Sequence, residues 1–301
     1  MADIVMDDFL VRYKNISNKL KKRFLRKPNV SEPSDQFGAL GMECERGGVV
    51  QYAGLCQLAV ARCEKELGNS SNAAWALRTA GRHFLIADSP PFIEPVSDRF
   101  EGALGSFSEA SRLWQSDVEV PLSAGLSLET GAALDHDPHQ AVTHYAKAAS
   151  LLSSCPPQQL PALCQLLSCR IKAGDYEGAL NTANDLAAAV DSSTSVPFGL
   201  YSDILLRCEI TRVLLVLLLR PPPSCLSPVL STLLEKYTWQ NQPPVKWLDE
   251  QLFLLLQSLV LACQAQDHEA LCETEGQLWN LLDNEQQHLL SCLIRTITTS
   301  G

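Results

Sequence analysis

Between Gly199 and Arg220 the chain reads GLYSDILLRCEITRVLLVLLLR, a run with twelve aliphatic residues that is closed by Pro221, Pro222 and Pro223. Its length would permit a membrane span, but Asp203, Arg207, Glu209 and Arg212 lie in or near its first half. Each charge costs about 2.5–3.5 kcal/mol near a bilayer centre, whereas each aliphatic residue returns only about 0.3–0.6 kcal/mol, so insertion is disfavoured. The four charges are close enough along one helix to pair with one another. From Val213 onward the helix is apolar on every face, and a helix of that kind must be enclosed by protein. The expectation is that Val213–Leu219 belongs to this chain's own core.

Composition sharpens the question of what else is enclosed. Of 301 residues, 46% are apolar and only 19% are charged, against about 25% in an average globular chain. Such a chain builds a thick core or leaves apolar surface for a partner. The first residues, Met1–Asp8, hold three aspartates and no apolar run, which is not the pattern of a secretory signal. Eleven cysteines without a CxxC pair fit a reducing compartment and core packing better than a closed disulfide framework. Charge is unevenly placed. Phe9–Ser31 holds eight bases and no acid, so taking +8 from the net −10 leaves −18 on the remainder.

The basic stretch has an apolar stripe. Phe9, Tyr13, Ile16, Leu20 and Phe24 recur at helical spacing, which predicts an amphipathic helix over 8–26, stopped by Pro28. Its basic face could serve nuclear import, an anionic membrane or an acidic protein surface, or it could be solvated while the stripe packs on following helices. From Gln51 onward the pattern is helical throughout. Proline- and serine-bearing breaks fall at 88–97, 155–161, 191–197, 221–228 and 240–245, spaced for antiparallel helix neighbours.

A repeat runs through the middle. Ala103-x3-Phe107-x2-Ala110 and Ala141-x3-Tyr145-x2-Ala148 carry the small, aromatic, small spacing of tetratricopeptide second helices. Gly174-Asp175-Tyr176-x2-Ala179 has the turn and helix start of a third copy, with Ala183 where the ring would stand. Gly68, Ala73, Leu77 and Ala80 form a weaker one. The alanines at 103, 141 and 179 are 38 residues apart, longer than the usual repeat of about 34. The residues therefore predict an all-α, tetratricopeptide-like helical solenoid with degenerate repeats and apolar C-terminal helices. Its expected parts are a basic helix and linker (1–35), repeats (36–190) and C-terminal helices that continue the solenoid (198–301).

No catalytic signature is present: there is no GxGxxG, GxxxxGK[ST] or HExxH. Asp135, His136, Asp137 and His139, with His144 downstream, have a metal-like composition. Asp137 before Pro138 reads instead as a helix N-cap with proline at the first position. His268, Cys272 and Cys263 lack a fourth ligand. Neither an enzyme, a metal nor a cofactor is expected, and the acidic body argues against nucleic acid.

Several collinear stretches resemble one family. They are SNKLKKRFLRKPNV at 17–30, CQLAVARC at 56–63, DYEGAL at 175–180, SDILLRCEITRVLLVLLLRPPP at 202–223, LEKYTW at 234–239, EQLFLLLQSLV at 250–260 and EQQHLL at 285–290. Together they look like the 40-kDa huntingtin-associated proteins, also called factor VIII intron 22 proteins. Two features depart from mammalian members: DSSTSVP stands where those carry a proline- and alanine-rich insert, and their alanine- and glycine-rich N-terminal extension is missing.

The resemblance implies a non-enzymatic protein held tightly by huntingtin, with a Rab-type GTPase recruiting both to early endosomes and altering endosome motility. It implies a cytoplasmic, endosome-associated protein that also enters the nucleus. The expected partner-binding residues are Lys21, Lys22, Arg23, Phe24 and Arg26 of the basic arm, and Trp239, Trp247 and Trp279 among the C-terminal helices, because tryptophan is enriched among interface anchors. An alternative of another class is a peripheral membrane adaptor that uses the 9–27 helix on anionic lipid.

Overall fold

Aspartates set where many helices begin. Asp137 accepts from the Gln140 backbone N–H, Asp175 from Gly178, Asp249 from Gln251 and Leu252, and Asp267 from Glu269 and Ala270. Each satisfies an amide that the first helical turn leaves unpaired. Asp283 and Gln286 exchange bonds as a capping box, the Gln286 amide donating to Asp283 Oδ1 at 2.8 Å and the Asp283 amide to Gln286 Oε1 at 3.2 Å. At helix ends, Gly68 and Gly174 take left-handed backbone with φ of 82° and 74°, a conformation that glycine adopts without a Cβ penalty.

The computed structural model describes residues 2–21, 29–86, 96–114, 120–220, 228–239 and 247–300. Among them the regular elements are fourteen α-helices and one 3-10 turn, so the expected all-α class holds. Two compact units divide the chain, Met1–Ala133 and Leu134–Gly301. The division falls inside the region read as repeats.

The first unit holds α1 (Ala2–Lys19), α2 (Ser31–Arg46), α3 (Val50–Leu67), α4 (Ser70–Ile86), α5 (Val96–Leu113) and α6 (Val120–Ala133). Consecutive helices pack on one another, the nearest-neighbour stacking of a helical solenoid. Small residues let them approach. An added Cβ at Gly54 of α3 would stand 2.7 Å from the Phe84 ring of α4, and one at Gly81 of α4 would stand 2.5 Å from the Phe107 ring of α5. Ala103, Phe107 and Ala110 are all buried, as the repeat spacing requires.

The second unit holds α7 (Pro138–Leu151), α8 (Pro156–Ala173), α9 (Tyr176–Ser193), α10 (Leu200–Leu219), α11 (Pro228–Trp239), α12 (Glu250–Ala265), α13 (His268–Leu278), the 3-10 turn Trp279–Leu281 and α14 (Asn284–Ser300). Helices α7 to α10 stack in sequence, α12 packs on α11 and α13, and α14 returns against α10 and α8. The repeat residues Ala141, Tyr145, Ala148, Ala179 and Ala183 are buried. The three evenly spaced alanines fall on alternate helices, α5, α7 and α9, whereas the weaker copy at Ala73 falls on α4, out of that alternation.

Helix α10 is largely core, as its sequence predicts. Val213, Leu214, Leu215 and Val216 are buried, Leu217 and Leu218 are half-buried, and only Leu219 reaches the surface. Among the described residues no helix is long and apolar enough to cross a membrane. Its charges pair only partly as expected. Glu209 and Arg212 do pair locally, at 2.8 Å. Arg207 turns instead to the start of α14, donating from Nη2 to Glu285 at 2.6 Å and lying 3.4 Å from Asp283. The physical reason is the return of α14 onto α10, which brings two carboxylates to one guanidinium.

Candidate interaction surface

The amphipathic α1 shows first how the basic arm is held. Phe9 is buried with Leu40, Cys44, Ala53 and Cys56, and its ring stacks on Tyr52 at 4.5 Å. Tyr13, Ile16 and Leu20 pack against Phe37, Ala59 and Cys63. Arg12 pairs with Glu43 at 2.7 Å and Lys19 with Glu32 at 2.7 Å. The Lys19 ammonium holds the Glu32 carboxyl below the usual carboxylate range, first through its hydrogen bond and then through its charge. The apolar stripe is therefore part of the first unit's core, and the basic side is what faces water.

Of the sequence-predicted contact residues on this arm, Lys21 is exposed just past the end of α1. Lys22, Arg23, Phe24 and Arg26 lie outside the described residues. In the second unit the three tryptophans differ. Trp239 ends α11 and is 81% exposed, Trp279 opens the 3-10 turn at 40%, and Trp247 is half-buried ahead of α12. No ring contact joins them among the described residues. The Trp279 carbonyl accepts from Gln287 Nε2 at 2.7 Å, which ties its turn to α14. Trp239, at the end of its helix, is the most exposed of the three.

Two features were not foreseen from sequence. In the first unit Trp75 is partly exposed on α4, with the Arg78 guanidinium 5.2 Å over its ring and the buried Trp114 edge-on at 5.2 Å. The signal was present, since Trp75 and Arg78 are three residues apart and share a helix face. In the second unit α8, α9 and α10 enclose a pocket of about 390 Å³ whose lining is mainly apolar. Leu160, Cys164, Leu186, Leu200, Tyr201 and Ile204 form much of it, and Asp203 and Arg207 supply its charge. Burial pushes the Cys164 thiol up, with Arg207 pulling the other way. Burial works against the Arg207 charge, but Glu285 and Asp283 outweigh it and hold the guanidinium above its ordinary value.

The histidine and acid cluster is taken up by structure. Asp137 caps α7 and Asp135 pairs with Lys172 at 2.8 Å. No group of three metal-ligating side chains forms among the described residues. His268 and Cys272 are exposed on α13.

No family model matches the chain. The 40-kDa huntingtin-associated protein of Mus musculus is 35% identical to it over 362 residues, covering 98% of this chain and 94% of the mouse protein. That of Rattus norvegicus is equally similar, at 35% over 362 residues with the same coverage. The alignments run longer than the 301 residues here, so both rodent proteins carry segments that this chain lacks.

Proposed function

The chain belongs to the family of the 40-kDa huntingtin-associated protein, and from that premise we propose that it is a non-enzymatic interaction subunit that binds and stabilises huntingtin. One observation carries the reading: 35% identity over 98% of this chain and 94% of the mouse protein. Physical features support it. Charged residues are only 19% of the chain, Trp239 stands 81% exposed at a helix end, and helical stacks present long faces to large partners. The finer part of the proposal rests on family membership. In it, huntingtin and this chain meet a Rab-type GTPase at early endosomes and alter their motility, in the cytoplasm.

The membrane-adaptor alternative is the weaker reading. Insertion of α1 into lipid would have to withdraw Phe9, Tyr13 and Ile16 from the first unit's core.

Co-expression with huntingtin followed by size exclusion tests the proposal. The expected outcome is one co-eluting complex whose unfolding temperature lies above that of the isolated chain, since a partner present at 100 times Kd adds about 2.7 kcal/mol. Separate elution with an unchanged unfolding temperature overturns it.

A further inference from the structure

The surroundings of the pocket in the second unit determine what fits it. At about 390 Å³ it lies within the roughly 300–1,000 Å³ of ligand sites. Exposed apolar residues run up to the start of α10: Val196, Phe198 and Leu200 are 75%, 86% and 70% exposed, and Leu200 forms part of the pocket wall. Bulky apolar side chains left in water along one short segment that ends on an apolar pocket mark a contact surface rather than scattered exposure.

Charge narrows the occupant. Arg207 is the cation of the lining, and Glu285 and Asp283 already flank it. Asp203 is exposed and pairs with no cation among the described residues. Two carboxylates thus flank the guanidinium, and a third stands unpaired on the pocket wall. An anionic ligand would have to displace Glu285 from Arg207 and approach Asp203, whereas a cation meets an excess of negative charge. Tyr201 in the wall has no hydrogen-bond partner among the described residues, which leaves its phenol oxygen free to accept from an ammonium or guanidinium.

We propose that this pocket docks an amphipathic protein segment whose bulky apolar side chains enter between α8 and α10 while flanking Lys or Arg residues meet Asp203 and the carboxylates around Arg207. The inference goes beyond huntingtin association and stands without it, because the pocket and its charges are properties of the second unit alone.

The test uses the full chain and two labelled peptides. One is a ten-residue helical peptide with Leu and Phe at positions four apart and Lys at both flanks, and the other has Glu in place of each Lys. Fluorescence anisotropy is expected to show saturable binding of the Lys peptide that weakens with added salt, and no binding of the Glu peptide. Asp203→Lys is expected to weaken binding about three- to fivefold, the scale of one exposed charge pair. Leu200→Asp is expected to abolish it, and both side chains are exposed enough for folding to survive, which circular dichroism checks. The bound Lys peptide is also expected to slow alkylation of Cys164, read by mass spectrometry on the digested chain. Equal binding of both peptides, or alkylation of Cys164 that the Lys peptide leaves unchanged, overturns the proposal. So does sedimentation showing that a second copy of this chain fills the pocket. Failure here leaves co-elution with huntingtin unaffected, so the two readings fail separately.

Discussion

Gly81 shows how much a single missing side chain decides. Helix α4 approaches α5 so closely that a Cβ at Gly81 would lie 2.5 Å from Cε1 and 2.7 Å from Cδ1 of Phe107, distances that force the ring or the helix to move. An alanine in a helix interior ordinarily gains about 1 kcal/mol over glycine, but forcing atoms into a filled core costs about 1–3 kcal/mol. Gly81→Ala is therefore expected to lower the urea midpoint, and Gly125→Ala, where nothing stands within 4 Å of the added Cβ, to raise it. Equal gains from both would show that Phe107 is not seated on that gap. The alanines and ring of 103–110 were legible in the sequence, because their spacing is local to one helix. Gly81 was not, since its partner lies on the next helix and no pattern within α4 records it. For the same reason the sequence implied local pairing for Arg207, whereas its carboxylates come from α14 across a long separation.

At the scale of elements, helices were readable and their tertiary partners were not. The run at 199–220 became α10 at Leu200–Leu219, and Asp137 before Pro138 caps α7 as its position implied. Caps and apolar periodicity act within a few residues, which is why they survive the passage from sequence to structure. What joins α10 to α11 is a buried polar triad of which local spacing announces only the Glu209–Arg212 pair. Glu209 is 2% exposed, accepts from Arg212 Nη2 at 2.8 Å, and accepts from the Tyr237 hydroxyl at 3.3 Å. Burial first, and then Glu209, push the Tyr237 phenol up, so it remains protonated and donates. Removing one member leaves the other charge buried without compensation, a loss of about 3–5 kcal/mol. Glu209→Gln is expected to cost that much in urea unfolding, whereas Glu209→Met combined with Arg212→Leu restores most of it. The Arg112–Glu109 pair, with Arg112 in water, is the control, because an exposed ion pair contributes little and Arg112→Gln should leave the urea midpoint nearly unchanged. If Glu209→Gln costs no more than Arg112→Gln, the triad is not what couples the two helices.

At the scale of the whole molecule, the question is how to separate folding from partner binding. The apolar C-terminal helices invite a deletion experiment, but the packing of the second unit argues against one. Leu289, Leu290 and Leu293 of α14 are fully buried, α14 lies against α10 and α8, and Phe253, Leu256 and Leu259 of α12 are equally enclosed. Removing residues 224–301 would strip α10 of its cover and unfold the unit, so lost binding would say nothing about contact. Single side chains at the surface are the better instrument. Trp239 is 81% exposed and has no ring contact among the described residues, so truncating it removes little of this chain's own packing. An aromatic anchor buried at an interface contributes at least about 2 kcal/mol, a thirtyfold or greater change in Kd. Trp239→Ala is expected to leave the unfolding temperature of the isolated chain unchanged and to weaken huntingtin binding by that factor, measured by titration of the two purified proteins. Trp279→Ala is expected to weaken binding less, because only 40% of that residue is exposed and its turn is tied to α14 through Gln287. Wild-type affinity in both variants would move the contact off Trp239 and Trp279. Exposed Trp75 of the first unit, with the half-buried Arg78 over its ring, is then the next aromatic to test.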